Sequence, residues 1–433
     1  MRGARAVLAA LLLAVSAPPP AAHAVTAPTV DPALLPAVAA PMPPVSTVQT
    51  APCAVPAVAA APHPVRLGRI HELSRGDGQR VAVIDTGVTR HHRLAQVEAG
   101  GDYVSTGDGT TDCDGHGTMV AGIIAASPDA DGFSGVAPGA TIVAIRQSST
   151  LFAPAADPSA AGVGDVATLA KAVRTAADLG AGVINISSIA CASGFVDDGP
   201  LGAALAYAVD TRDAVVVAAA GNVGGAGRCP PQPEMSDMTW ETATVASSPG
   251  WYDDYVLTVG SVGAGDAPSE FTLPGPWVDV AAPGEQVVSL HPSGTGLVDS
   301  QQSFGRTVAI AGTSYAAPVV SGVVALVRSR FPALTARQVM RRIEDTARPV
   351  GAGWDPVTGH GVVDPVAALS NETEPVTPQP VPDPTPLTAR TRRDDPGSRA
   401  ATIGALCCLA ALLVAGLVSR SRRGDSVVGE QRR

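Results

Sequence analysis

Short apolar runs, each closed by small polar residues, recur through the middle of the chain. Val81-Ala82-Val83-Ile84 ends in Asp85-Thr86-Gly87, and the same format returns at 141–145, at 183–186 before Ser187-Ser188, and at 215–220 before Gly221-Asn222. A brief unbroken apolar run bounded by a turn signal is the pattern of a strand buried on both faces, as in a parallel sheet. Between these runs lie stretches of helical period, 165–179 ahead of Gly180 and 200–209. Strands alternating with helices predict an α/β fold with a mainly parallel central sheet covered on both faces. Functional groups in such a sheet belong at the carboxyl ends of its strands. After Ser314 a run of small residues reaches Arg330, and Thr335 then caps a predicted helix over 335–347 with apolar positions at Val339, Met340 and Ile343. The patterned body begins near Leu67 and closes near Leu369.

The two ends follow other patterns. Arg2 and Arg5 precede an apolar run from Ala6 to Val15, and Ala22-His23-Ala24 offers a cleavage site, so residues 1–24 read as a secretory signal peptide. Residues 25–64 are almost all Ala, Pro, Val and Thr without period, an extended and irregular arm. From Glu374 to Pro386 prolines alternate with polar residues, predicting a stiff spacer within a linker over 371–399. Ala400 to Val418 carries no charge and is long enough to cross a hydrocarbon core of about 30 Å. Arginines flank that run on both sides, so the signal peptide sets the orientation: an extracytoplasmic body at 65–370 and a cytoplasmic tail at 419–433. The expected location is the cell membrane, held by a single span.

Charge narrows the function. With 29 Lys+Arg against 39 Asp+Glu the net charge is −10, which argues against a nucleic-acid partner. Cys407 and Cys408 fall inside the predicted span as small apolar residues. Cys53, Cys113, Cys191 and Cys229 lie in the exported body, where an oxidising compartment favours two disulfides with three possible connectivities. No C-x-x-C and no paired-histidine spacing is present, so no metal or cofactor is expected, and His91-His92 reads as a solvated loop pair.

Four places carry candidate chemistry. Asp85 stands at a strand end; its Asp-Thr-Gly triplet is also an aspartic-protease half-site, but the chain has no second copy to share a proton. Asp114-Gly115-His116-Gly117-Thr118 opens a helical run, and the flanking glycines let an imidazole project from closely packed backbone. In Gly312-Thr313-Ser314-Tyr315-Ala316-Ala317-Pro318 a serine sits at a helix start, where backbone N–H groups converge on a developing oxyanion; Thr313 is the expected cap, and Pro318 is expected in the first turn, where N–H groups have no intrahelical acceptor to lose. Asn222 follows a buried strand and either supplies a left-handed turn or aims its amide at an oxyanion.

At Val83-Ile84-Asp85-Thr86-Gly87, His116-Gly117-Thr118-Met119-Val120-Ala121-Gly122 and Gly312-Thr313-Ser314-Tyr315-Ala316-Ala317-Pro318 the chain resembles the subtilisin-like serine proteases, in their order Asp, His, Ser. The resemblance spans about Leu67 to Leu369. It implies a three-layer subtilisin-like fold and a serine endopeptidase that acts on protein or peptide substrates. The triad would be Asp85, His116 and Ser314, with an oxyanion hole from Asn222 and the Ser314 N–H. Substrate-binding walls would come from Ser187, Ser188 and Ile189 and from Ala219, Ala220 and Gly221. The arm with Cys53, Cys113 just before His116, 183–188, the Gly359-His360-Gly361 segment and the Pro-rich linker are similar to the mycosins, the membrane-anchored subtilases of type VII secretion systems. That narrower resemblance implies a secretion-complex partner and the pairs Cys53–Cys113 and Cys191–Cys229. Bacterial subtilisins carry Leu-Gly-Gly or Met-Gly-Gly where this chain has Ser188-Ile189-Ala190, a bulkier substrate-binding edge. The arm is also shorter than a folded inhibitory propeptide, and is expected to stay in place.

Overall fold

The computed structural model describes residues 24–56, 67–224, 229–233, 238–303 and 306–370. Seven strands form the central sheet: β1 Arg80–Asp85, β2 Val97–Asp102, β3 Thr141–Arg146, β4 Val183–Ile186, β5 Val215–Ala219, β6 Val256–Val262 and β7 Val280–Pro283. Every pairing is parallel, in the order β7-β6-β5-β4-β1-β3-β2. The apolar runs are therefore buried on both faces: Val81 to Ile84, Ile142 to Ile145 and Val215 to Ala218 are all fully inaccessible. From β1 the chain moves to β3 on one side and later to β4 on the other, so Asp85 ends the strand at the switch point, where a crevice opens.

Among the described residues five helices reach eight residues or more: α1 His116–Ala125, α2 Val166–Asp178, α3 Gly199–Ala206, α4 Thr313–Arg330 and α5 Ala336–Asp345. α2 packs on α3, and α1 packs on α4, giving the layers expected of the fold. α1 buries nine of its ten residues, a central rather than amphipathic helix, which its run of small and apolar residues permits. α2 starts where the sequence places it, with the Asp165 side chain accepting the Thr168 N–H at 2.6 Å. The capping residue of α5 is Thr335, in a reciprocal box with Gln338.

The arm differs from the irregular segment its composition suggests. Asp31 caps a 3₁₀ turn, Pro32–Leu34, which packs against α3. Thr47–Gln49 forms a strand antiparallel to Phe152–Pro154. This strand falls in the longest stretch of the arm, 45–50, that lacks both Pro and Ala, so its N–H groups are free to pair. Three residues are too few to show a period, and the partner strand defines them. Val25 at the start of the arm is buried, its N–H on the Ala243 carbonyl at 2.7 Å.

Among the described residues no helix is long and apolar enough to cross a membrane. Residues 1–23 of the expected signal peptide, the linker at 371–399, the apolar run at 400–418 and the tail at 419–433 lie outside the described residues.

Candidate active site

The carboxyl ends of β1 and β5 and the amino ends of α1 and α4 supply the candidate groups. Asp85 closes β1, 2% exposed, and its Oδ1 accepts the Thr86 N–H and the His116 Nδ1–H, both at 2.8 Å. That bond fixes the tautomer of the neutral imidazole and leaves Nε2 as the acceptor. His116 opens α1 after Gly115, a left-handed N-cap with no side chain to cap the helix. Asp112 takes over that task from outside the helix. Its carboxylate accepts the Gly115 N–H at 2.7 Å, the Thr118 N–H at 2.8 Å, the Thr118 hydroxyl at 2.6 Å and the Thr86 hydroxyl at 2.8 Å. It thereby ties the His116 turn to the turn that follows Asp85. Asp112 carries no motif of its own; its only signal in the sequence is an acid a few residues before a helix whose own cap is glycine.

Gly117 allows the closest approach. A Cβ there would lie 2.0 Å from the Gly87 carbonyl oxygen and 3.1 Å from the Asp85 Cβ, so no other residue lets α1 sit this near β1. Burial pushes the His116 imidazolium down, but the Asp85 carboxylate beside it, helped by Asp112 and Asp114, more than offsets that and leaves its pKa raised. The His116 side chain remains 28% exposed, and the Tyr315 ring lies against it with centroids 5.1 Å apart.

Ser314 is the second residue of α4. The N-cap is Gly312, not Thr313 as the sequence suggests, and at φ 153°, ψ 155° it leaves room for its neighbours: a Cβ there would stand 3.2 Å from Ser314 Oγ and 3.6 Å from Asn222 Nδ2. Thr313 works sideways instead. Its N–H and hydroxyl donate to Asn222 Oδ1 at 3.0 and 3.1 Å, and its oxygen accepts the Gly221 N–H at 3.2 Å. With Oδ1 committed, the Asn222 amide has its N–H groups on the side facing Ser314. Of the two roles left open for Asn222, this arrangement fits an amide aimed at an oxyanion. The left-handed residue is Gly221, at φ +110°.

Around the substrate edge the residues divide. Ser187 turns its hydroxyl inward to the Ser314 carbonyl at 2.9 Å. Ser188 is half-buried and its hydroxyl has no hydrogen-bond partner. Ala219 and Ala220 are 1% and 0% exposed, with the Ala220 carbonyl accepting from Ser247 at 2.9 Å, so they present no side-chain wall. Ile189 packs with Cys191, Val223, Cys229, Val245 and Leu273, and its Cδ1 lies 3.4 Å from the position a Cβ on Gly221 would take.

The disulfides are Cys53–Cys113, S–S 2.06 Å, and Cys191–Cys229. Cys53–Cys113 ties the arm three residues before His116, and the Ala54 N–H adds a bond to the Cys113 carbonyl at 2.8 Å. Asp114 reaches the other way, accepting from the Ser149 hydroxyl at 2.5 Å and the Thr150 N–H at 2.7 Å. His91 corrects the expectation of a solvated pair. It is 3% exposed, its ring nitrogen lies 3.2 Å from the Gly296 carbonyl, and burial pushes its pKa down to about 4. His92 beside it stays exposed. Among the described residues no group of three or more His, Cys, Asp or Glu is placed to hold a metal ion.

Known proteins resemble this chain in sequence and fold. Residues 76–361 match the model of the Subtilase family, Peptidase_S8. The chain is 57% identical to Mycosin-4 of Mycobacterium tuberculosis, over 93% of this chain and 92% of that one. The MycP3 protease from the type VII (ESX-3) secretion system is 46% identical and superposes with a TM-score of 0.74, covering 80% of this chain and all of that one. A chain of an intact ESX-5 inner membrane complex is 39% identical, with a TM-score of 0.76 over 92% of this chain and all of that one. A parallel sheet with an Asp-His pair and a serine at its switch point, in a chain so similar to these relatives, belongs to the subtilase family of serine endopeptidases and, within it, to the mycosins.

Proposed function

We propose that Ser314 is the nucleophile, His116 its general base and Asp85 the group that orients and stabilises the imidazolium. The observation that carries this reading is the Asp85–His116 hydrogen bond of 2.8 Å at the mouth of β1, across the crevice from a helix that starts at Thr313-Ser314. In the reaction Ser314 Oγ bonds to the peptide carbonyl carbon while His116 Nε2 takes its proton. His116 then gives that proton to the leaving amine, and water repeats the sequence to release the acid. The oxyanion would lie between Asn222 Nδ2 and the Ser314 N–H. Substrate would run along 187–189 and Gly221, where the side chains nearby are apolar or neutral, which suits a neutral residue before the scissile bond.

The site of action is part of the same proposal. The apolar run at 400–418 would anchor the protein, with residues 65–370 outside the cytoplasm and the Pro-rich linker at 371–399 as spacer. The ESX-3 protease and the ESX-5 inner membrane complex support a place in type VII secretion. The ESX-5 relative also favours a second reading, in which the domain braces a secretion complex and hydrolysis is secondary. Secretion by a strain carrying Ser314→Ala, compared with full deletion, separates the two. If catalysis is the main task both strains lose secretion, whereas retained secretion with Ser314→Ala would assign the main task to the scaffold.

A further inference from the structure

Helix α4 carries a proline at its sixth residue, beyond the first turn in which a missing N–H costs nothing. Pro318 cannot donate to the carbonyl four residues earlier, and that carbonyl belongs to Ser314. The structure fills the gap from another element. Ser187, just past the end of β4, donates its hydroxyl to the Ser314 carbonyl at 2.9 Å. Asn185 Nδ2 donates to that hydroxyl at 2.9 Å, and Ser321 Oγ donates to Asn185 Oδ1 at 2.8 Å. A hydroxyl has one proton, so accepting from Asn185 leaves the Ser187 proton committed to Ser314. Ser187 is 6% exposed and Asn185 and Ser321 are fully buried, so water does not compete for these bonds. Ser321 lies two turns along α4 from Ser314, which closes the chain of bonds back onto the helix it supports.

We propose that Ser187 is a positioning residue for the nucleophile. It replaces the helical donor that Pro318 removes, and so holds the Ser314 peptide, and with it the direction of Oγ, against the end of β4. The inference rests on the reading of Ser314 as nucleophile. Asn185 and Ser321 serve Ser187 by fixing where its proton points. Because the 187–189 edge begins at the same residue, the strand end that would receive substrate and the turn that carries the nucleophile are locked by one bond.

The test is a pair of variants in the full chain, assayed on a peptide amide. Ser187→Ala should lower kcat by about 10–100-fold, the scale of a small misplacement of a reacting group, with KM changed by no more than about twofold. Pro318→Ala restores an N–H to residue 318, so Ser187→Ala combined with Pro318→Ala should recover most of the loss, measured against Pro318→Ala alone. A merely structural role would not be rescued by a backbone donor. Wild-type kcat in Ser187→Ala, or a double variant no better than the single, overturns the proposal. If Ser187→Ala does not fold, Ser321→Ala takes its place, with a smaller loss and the same rescue expected; no loss or no rescue overturns the proposal there too. Hydrolysis that survives Ser314→Ala would instead remove the underlying reading.

Discussion

The two halves of the site are held by different physics. Asp85 and His116 meet through a charge-assisted hydrogen bond, and the His116 turn is fixed by a buried carboxylate, Asp112, and by a disulfide to the arm. Asn222 and Ser314 are held by neutral hydrogen bonds, through Thr313 on one side and the Ser187-Asn185-Ser321 chain on the other, and the Cys191–Cys229 bridge stands behind Asn222, whose carbonyl accepts the Cys229 N–H at 3.0 Å. The first half carries a charged pair backed by a bridge to the arm, the second neutral groups backed by a bridge within the body. The first should therefore respond to pH, and the second to single buried hydroxyls and amides.

The largest expected effect falls on both halves at once. Ser314→Ala or His116→Ala should each lower kcat by about 10⁶ in folded protein, because the pair acts as one unit. Turnover near wild type in either would dissolve the division by removing the triad. Asp85→Asn should cost about 10⁴ in kcat, since the amide no longer enforces the needed tautomer. Asn222→Ala, in the neutral half, should lower kcat by about 10²–10³ with little change in KM. An effect confined to KM would make Asn222 a substrate-binding group.

The pH profile sharpens the contrast. The raised His116 pKa means that its proton is held longer than at the ordinary value of 6.5. The proposed base is the neutral ring, so kcat/KM should rise with pH and reach half its plateau above 6.5. Asp85→Asn removes the attraction and should move that inflection down, whereas Asn222→Ala should leave it in place. The smallest effects separate the disulfides. Replacing either pair by serine should cost about 4 kcal/mol of stability in the chain-entropy model, for separations of 60 and 38 residues. Only loss of Cys53–Cys113 should also shift the pH inflection, because that bridge alone backs the His116 turn. Equal shifts from both pairs would show that the arm does not support His116.

Much of this was legible in the chain. The buried strands announce themselves as apolar runs because both faces are covered, and Asp85, His116, Ser314 and Asn222 all stand where such runs end or helices begin. What escaped is what no local pattern encodes. Asp112 caps a helix from outside it, and Thr313 bonds across to β5 instead of capping its own helix. The Ser187 hydroxyl finds its partner on a helix more than a hundred residues later. Each depends on a contact made only when the sheet is assembled. The arm strand was hidden for the same reason, and His91 is buried because the 291–296 loop folds over it.

The central claim, that Ser314 is the nucleophile of a working triad, is tested most directly by labelling full-length protein with a fluorophosphonate and mapping the modified peptide by mass spectrometry. One phosphonylated residue, Ser314, is expected, in parallel with loss of peptide hydrolysis, and no label in His116→Ala. Label on a different serine, or hydrolysis that continues with Ser314 fully modified, would contradict it.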